Sequence, residues 1–202
     1  MNILGLTIII GSYLIGSISW ALIIGKLFYK TDIRNHGSGN LGASNAGRVL
    51  GKKAGFCVAA LDISKAFICV AICSTLLPQY TPYAGLACCF GHCFPIFANF
   101  KGGKAVATSM GYLFGLALFV TDQFIPIFII PVICFFTILY LTKTVAISSL
   151  SSFLIAIVMS IIFIKDISIT VSIIILWIFL VYRHKDNIKR ILDGKENKIT
   201  WM

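Results

Sequence analysis

Seven apolar runs, at residues 3–24, 54–77, 82–98, 105–121, 124–141, 144–164 and 168–182, follow one another with short polar breaks between them. A membrane crossing needs about 20 apolar residues, and lipid admits only helices or closed barrels as spanning structures. The pattern predicts an all-α, polytopic integral membrane helix bundle of about seven transmembrane helices, forming a single membrane-embedded domain over residues 1–202. Composition agrees. The chain is 58% hydrophobic and 12% charged, against about 45–50% and about 25% in soluble domains. A soluble enzyme, a disordered regulator and a disulfide scaffold all fit poorly. The first run follows Met1-Asn2 without a basic leader or a small-residue cleavage site, and is expected to be a retained span. The third run holds Gly91, His92 and Pro95, where a broken or kinked helix is expected.

Charge predicts the orientation. The net charge is +10, from 17 Lys and Arg against 7 Asp and Glu. With the N-terminus outside, segments 25–53, 99–104, 142–143 and 183–202 face the cytoplasm and carry fifteen of those 17 basic residues. The opposite side holds only Lys165, and Lys65 lies inside a span. By the positive-inside rule the N-terminus is outside and the C-terminus cytoplasmic. Because the basic residues lie in gaps between apolar runs, the expected partners are membrane lipid and an anionic substrate, with no nucleic acid. The seven cysteines all lie in apolar stretches and read as packing residues, so no metal site is expected. Asp62 and Lys65, three apart within the second run, share a helix face. They form either an intrahelical pair that turns this helix inward or the floor of a polar site.

Four polar clusters sit at the predicted cytoplasmic ends. The first runs from His36 to Arg48 and contains G-x-G-x-x-G at Gly37, Gly39 and Gly42. It follows a membrane helix rather than a strand, which excludes the dinucleotide fold. What remains is a backbone able to turn tightly and offer N–H groups to a phosphate, with Ser38, Asn40 and Asn45 as donors and Arg48 as a cation. The second cluster, Gly91 to Thr108, contains Lys101-Gly102-Gly103-Lys104. No Ser or Thr follows Lys104, so it is not a nucleotide P-loop. Opening a helix, it is a second anion cradle. The third, Lys143 to Ser152, includes Ser148 and Ser149, and the fourth is the tail from Arg183 to Lys198, with His184 and Asn187 on one helical face. Two phosphate cradles flanked by apolar helices imply a substrate with one anionic and one greasy end.

Taken together, the clusters resemble the bacterial acyl-phosphate:glycerol-3-phosphate acyltransferases, the PlsY family. The family patterns G-S-G-N-x-G-A-T-N-x-x-R, G-H-x-F-P-x-F-x-x-F-K-G-G-K-x-V-A-T and H-x-x-N-I-x-R-x-L-x-G-x-E-x-K match Gly37 to Arg48, Gly91 to Thr108 and His184 to Lys198, in order. Ser44 stands where the family usually has Thr, and Ala105 where Gly is common. The resemblance implies acyl transfer from acyl phosphate to the 1-hydroxyl of sn-glycerol 3-phosphate. The products are lysophosphatidic acid and phosphate, in a first step of phospholipid synthesis, and no cofactor is needed. It implies a multi-pass protein of the bacterial cytoplasmic (inner) membrane with its active site on the cytoplasmic side. It also implies that Ser38, Arg48, His184 and Asn187 are catalytic. Gly102, Gly103 and Lys104 would bind phosphate, Ser148 and Ser149 would face the same site, and Glu196 would be structural.

The residues five past His36, His92 and His184 are Leu41, Phe97 and Lys189, so the H-x-x-x-x-D pair of other glycerol-phosphate acyltransferases is absent. Catalysis is then expected to rest on proximity and charge stabilisation, with the hydroxyl proton passing to a substrate phosphate oxygen or to His184. The competing reading is a transporter of phosphate or an organic phosphate. A carrier would show repeated halves and a midplane site, whereas no repeat is visible. The sequence leaves the oligomeric state open and is compatible with a monomer.

Overall fold

The computed structural model describes residues 2–199, and every regular element among them is helical. The chain divides into two compact units, one up to Gly115 and one from Leu116 onward.

In the first unit the opening apolar run is not one rod. Helix α1 (Ile3–Gly16) is capped by the Asn2 side chain, which accepts from the Gly5 N–H. It stops before Ser17, and α2 (Trp20–Tyr29) restarts three residues later. The expected single span is therefore interrupted at residues 17–19. Helix α3 (Ala43–Val49) lies within the polar stretch expected to be a loop. Helix α4 (Lys52–Leu76) is the longest, at 25 residues, whereas α5 (Thr81–Cys93) has only 13. The third run does break: α5 ends at Cys93, and a single 3-10 turn at Ile96–Ala98 follows Pro95. Helix α1 packs closely on α5. A methyl on Gly16 would collide with the Cys88 carbonyl, and one on Gly91 with the Tyr13 carbonyl. Helix α6 (Val106–Phe119) starts just past the glycine-lysine stretch.

The interruption of the first span exposes carbonyls that lipid cannot satisfy. Lys65 supplies the donor. Its Nζ lies 3.0 Å from the Gly16 carbonyl and 3.2 Å from that of Ile18, and pairs with Asp62 at 2.9 Å. His92 Nδ1 approaches the same ammonium at 2.8 Å. Both alternatives left open for Asp62 and Lys65 are thus incomplete. The pair is intrahelical, and it also reaches two other segments of the unit. Burying such ions costs several kcal/mol each, while removing one partner alone typically costs about 3–5 kcal/mol.

In the second unit a π-helical turn at Ile125–Ile129 leads into α7 (Ile130–Thr142). Helix α8 (Val145–Phe163) follows, then α9 (Ile167–Arg183) and α10 (Lys185–Leu192). Ser152 Oγ donates to the Pro131 carbonyl at 2.7 Å and Trp177 Nε1 to that of Leu150 at 2.9 Å, tying α8 to both neighbours. Helix α10 bends 58° away from α9.

All seven predicted apolar runs are helical. Four helical stretches, Ile3–Tyr29, Lys52–Leu76, Ile125–Thr142 and Val145–Phe163, are long and apolar enough to cross a membrane unaided, and α9 with α10 makes a fifth as a bent pair.

Candidate active site

The first unit carries two of the four clusters on one buried base. Leu41 and Ala46 of the first cluster and Ala98 of the second share a hydrophobic cluster with Ala21, Ile24, Ile33, Leu50, Ala54 and Val58. Above it, residues 36–42 fold around one side chain. Asn45, 2% exposed, accepts the Ser38 N–H at 2.8 Å through Oδ1. Its Nδ2 faces the carbonyls of His36 and Asn40, both at 3.1 Å, and of Ile33 at 3.4 Å. Gly37 and Gly39 adopt left-handed φ values of 61° and 69°, which glycine does at least cost. The expectation that Asn45 donates to substrate meets an amide already spent within the loop. Ser38 and Arg48 are exposed, and Asn40 Nδ2 lies 3.3 Å from Ser38 Oγ. With His36 and Ser44, they are the cluster's exposed polar and cationic side chains.

The turn leading into this loop is itself pinned by charge. Arg34 grips Asp32 through Nε at 2.9 Å and Nη2 at 2.6 Å. That side-chain hydrogen bond, against partial burial, holds the Asp32 carboxyl well below the usual carboxylate range and raises the Arg34 guanidinium.

The second cluster folds back onto α5. Gly103 N–H donates to the His92 carbonyl at 3.1 Å. A methyl on Gly102 would strike that same carbonyl, and one on Gly103 would strike His92 Nε2. Both glycines are buried while Lys101 is exposed and Lys104 half-buried. Asn99, Phe100 and Ala105 have φ of 54°, 58° and 58°. At Ala105 the left-handed backbone explains why glycine suits this position: an L-residue pays about 1–2 kcal/mol there. Beside this turn lies a mostly apolar cavity of about 190 Å³ lined by Ile18, Ser19, Leu22, Ile23, Phe97 and Ala98.

The second unit joins the other two clusters. Ile199 N–H donates to the Lys143 carbonyl at 2.8 Å, bringing the tail to the turn before α8. His184, 2% exposed, sits at the α9–α10 bend with Nδ1 2.8 Å from the Leu180 carbonyl. A carbonyl only accepts, so Nδ1 carries a hydrogen. Asn187, one turn on, donates from Nδ2 to Glu196 Oε1 at 2.6 Å, and Arg190 Nε donates to Oε2 at 2.8 Å. Ser148 and Ser149 are fully buried and donate to the carbonyls of Thr144 and Ala146 in their own segment. Their hydroxyl hydrogens are thus spent on local backbone.

Sequence reasoning passed over the reach of Lys65 to Gly16, Ile18 and His92. The signal was present in part, as two opposite charges within an apolar run. Their partners lie 27 to 49 positions away and carry no local signature.

A family model for glycerol-3-phosphate acyltransferase matches residues 6–194. The chain belongs to the glycerol-3-phosphate acyltransferase family. Among curated members, the Glycerol-3-phosphate acyltransferase of Bacillus subtilis (strain 168) is 47% identical over 196 residues, covering 96% of this chain and 97% of the relative. That of Bacillus velezensis (strain DSM 23117 / BGSC 10A6 / LMG 26770 / FZB42) is 48% identical over 197 residues, with coverage of 96% and 97%. The crystal structure of PlsY, an integral membrane glycerol 3-phosphate acyltransferase, is similar to this chain in two forms. The glycerol 3-phosphate form gives a TM-score of 0.88 at 33% identity, covering 97% of this chain and 96% of that one. The lysophosphatidic acid form gives 0.85 at 32% identity, covering 97% and 95%. This chain is therefore an integral membrane acyltransferase of that family, and the transporter reading is set aside.

Proposed function

We propose that this enzyme transfers an acyl group from acyl phosphate to the 1-hydroxyl of sn-glycerol 3-phosphate, releasing lysophosphatidic acid and inorganic phosphate. The observation that carries this reading is the fold-wide similarity to PlsY in a glycerol 3-phosphate form, at 97% coverage of this chain. The cradles of the first unit support it. Arg48 and Lys104 supply cations and Ser38 a hydroxyl for the two phosphate groups, and the Gly102-Gly103 turn places Lys104.

Acyl phosphate brings its own leaving group, so the protein's task is to hold donor and acceptor together and to stabilise charge. Proximity alone is worth up to about 7–11 kcal/mol. The hydroxyl oxygen attacks the acyl carbon as the C–O bond to phosphate breaks. Nδ1 of His184 lies 2.8 Å from the Leu180 carbonyl, and the reading assigns the ring to orienting the hydroxyl and a substrate phosphate oxygen to accepting the proton. Asn187 positions the tail with Glu196, and Asn45 shapes the loop that presents Ser38. Seven spans, the N-terminus outside and a cytoplasmic site in the inner membrane complete the proposal, supported by the bias of basic residues.

Purified protein supplied with palmitoyl phosphate and glycerol 3-phosphate should yield lysophosphatidate and phosphate without coenzyme A or added metal. Phosphate exchange in liposomes without any acyl donor, and no lysophosphatidate, would overturn the assignment.

A further inference from the structure

The Asp62–Lys65–His92 cluster occupies the interior of the first unit, where the three residues are 1%, 4% and 5% exposed. The hydrophobic stability of a membrane bundle gains nothing from ions in this position. Its geometry points outward at both ends. At one end Lys65 holds the Gly16 and Ile18 carbonyls at the interruption of the first span. At the other, His92 seats the Gly102-Gly103-Lys104 turn, its carbonyl taking the Gly103 N–H and its Nε2 edge lying against the Gly103 backbone.

The ammonium fixes the state of the ring. A lysine ammonium has only donors, so at 2.8 Å Lys65 Nζ must give a hydrogen to His92 Nδ1. Asp62 Oδ1 faces the same nitrogen from farther away, at 3.4 Å, so the shorter ammonium contact sets its role: with Nδ1 accepting, the neutral ring carries its hydrogen on Nε2, the nitrogen turned toward the turn. We propose that His92 is a positioning residue for phosphate binding: Lys65, anchored by Asp62, locks its Nε2–H tautomer, and the ring and carbonyl of His92 together set the shape of the Gly102-Gly103-Lys104 cradle. The proposal rests on the acyltransferase reading only for the identity of the phosphate. The cradle takes a phosphate monoester or a phosphoric–carboxylic anhydride, and it reaches the reaction through the loop rather than through His92 touching the reacting atoms.

Two variants separate this role from simple packing. In His92→Asn the amide overlays the Nδ1 position and keeps a partner for Lys65, but nothing reaches the turn. In His92→Gln the amide nitrogen returns near the Nε2 position. The full-length protein in detergent should show His92→Asn raising KM about tenfold for one substrate, with kcat changed far less, and His92→Gln recovering most of that loss. Whether the KM for glycerol 3-phosphate or for palmitoyl phosphate moves identifies the occupant. Amide exchange at residues 102–104 should quicken in His92→Asn and slow again in His92→Gln. Equal losses in both variants that follow only their melting temperatures, or an unmoved KM for both substrates, would overturn the proposal.

A wild-type measurement needs neither a variant nor activity. Nitrogen-15 spectra of histidine-labelled protein, with only three histidines to assign, should show the Nε2–H tautomer at His92. An Nδ1–H tautomer there would overturn the proposal even in a fully active enzyme. Absent acyl transfer by the wild type, with the tautomer and exchange results as expected, would instead count against the functional reading alone.

Discussion

Residues 36–48 and residues 184–199 are both polar segments that carry side chains assigned to the reaction, and they are secured by opposite means. The first closes around the neutral amide of Asn45, buried to 2% exposure, with one backbone N–H and three backbone carbonyls as partners. The second closes around the carboxylate of Glu196, whose side chain is 11% exposed and whose partners are the side chains of Asn187 and Arg190. A neutral group gripping backbone fixes chain shape and is indifferent to salt. A carboxylate gripping side chains at the edge of water fixes rotamers and is screened. The difference implies a rigid loop around Ser38 and an adjustable tail around His184 and Asn187.

That contrast is most severely tested at the groups expected to act. Arg48→Ala and His184→Ala should each lower turnover by about 10²–10³-fold, the scale of a lost charge-stabilising contact. Both proteins should remain in the membrane. Near-normal turnover in either variant would remove that segment from the comparison. Next comes Asn45→Ala, which strands buried backbone groups at about 1–3 kcal/mol each. A melting-temperature drop that is the same in low and high salt is expected, and recovery by salt would break the proposed neutral grip. Glu196→Ala should cost about 1 kcal/mol and several-fold in activity, with Glu196→Gln keeping the contact to Asn187 and losing only the part that high salt also removes.

Two smaller effects sharpen the picture. Ala105→Gly relieves a left-handed alanine but adds freedom to the unfolded chain, leaving a net gain of about 0.5 kcal/mol by chemical denaturation. Asp32 gives the turn leading into the first segment a charged support. Its carboxyl is held below the ordinary range by Arg34, so it contributes stability above an unfolded pKa of about 3.9 and loses it as the pH falls toward the depressed folded value. The stability advantage of wild type over Asp32→Asn should shrink steadily below pH 4. An advantage that grows on acidification would reverse the sign.

The helical, membrane-spanning architecture was legible because apolar run length is a direct readout of the lipid solvent. All seven runs are helical, and Pro95 correctly announced the end of α5. The break at residues 17–19 was not legible. Its sequence is apolar or weakly polar, and what stabilises it is Lys65, far along the chain. The polar clusters were legible as glycine-rich and basic stretches, yet not how their side chains divide the work. Asn45 and Ser38 read alike as donors in a string of letters. Only the fold shows that one faces inward to three carbonyls while the other stays exposed. Ser148 and Ser149 read either as packing hydroxyls or, by the resemblance, as site hydroxyls, and in α8 both donate to their own backbone.

The brevity of α5 has a consequence for where the chemistry takes place. Thirteen residues rise about 20 Å, whereas the oily layer is about 30 Å thick. The end of that helix, carrying His92, therefore cannot reach the plane of the surrounding lipid surface if its other end does. Most of α5 is buried within its unit, so the shortfall falls inside the protein: a polar reactant bound beside His92 would lie below the plane of the headgroups, at the depth of a fatty chain.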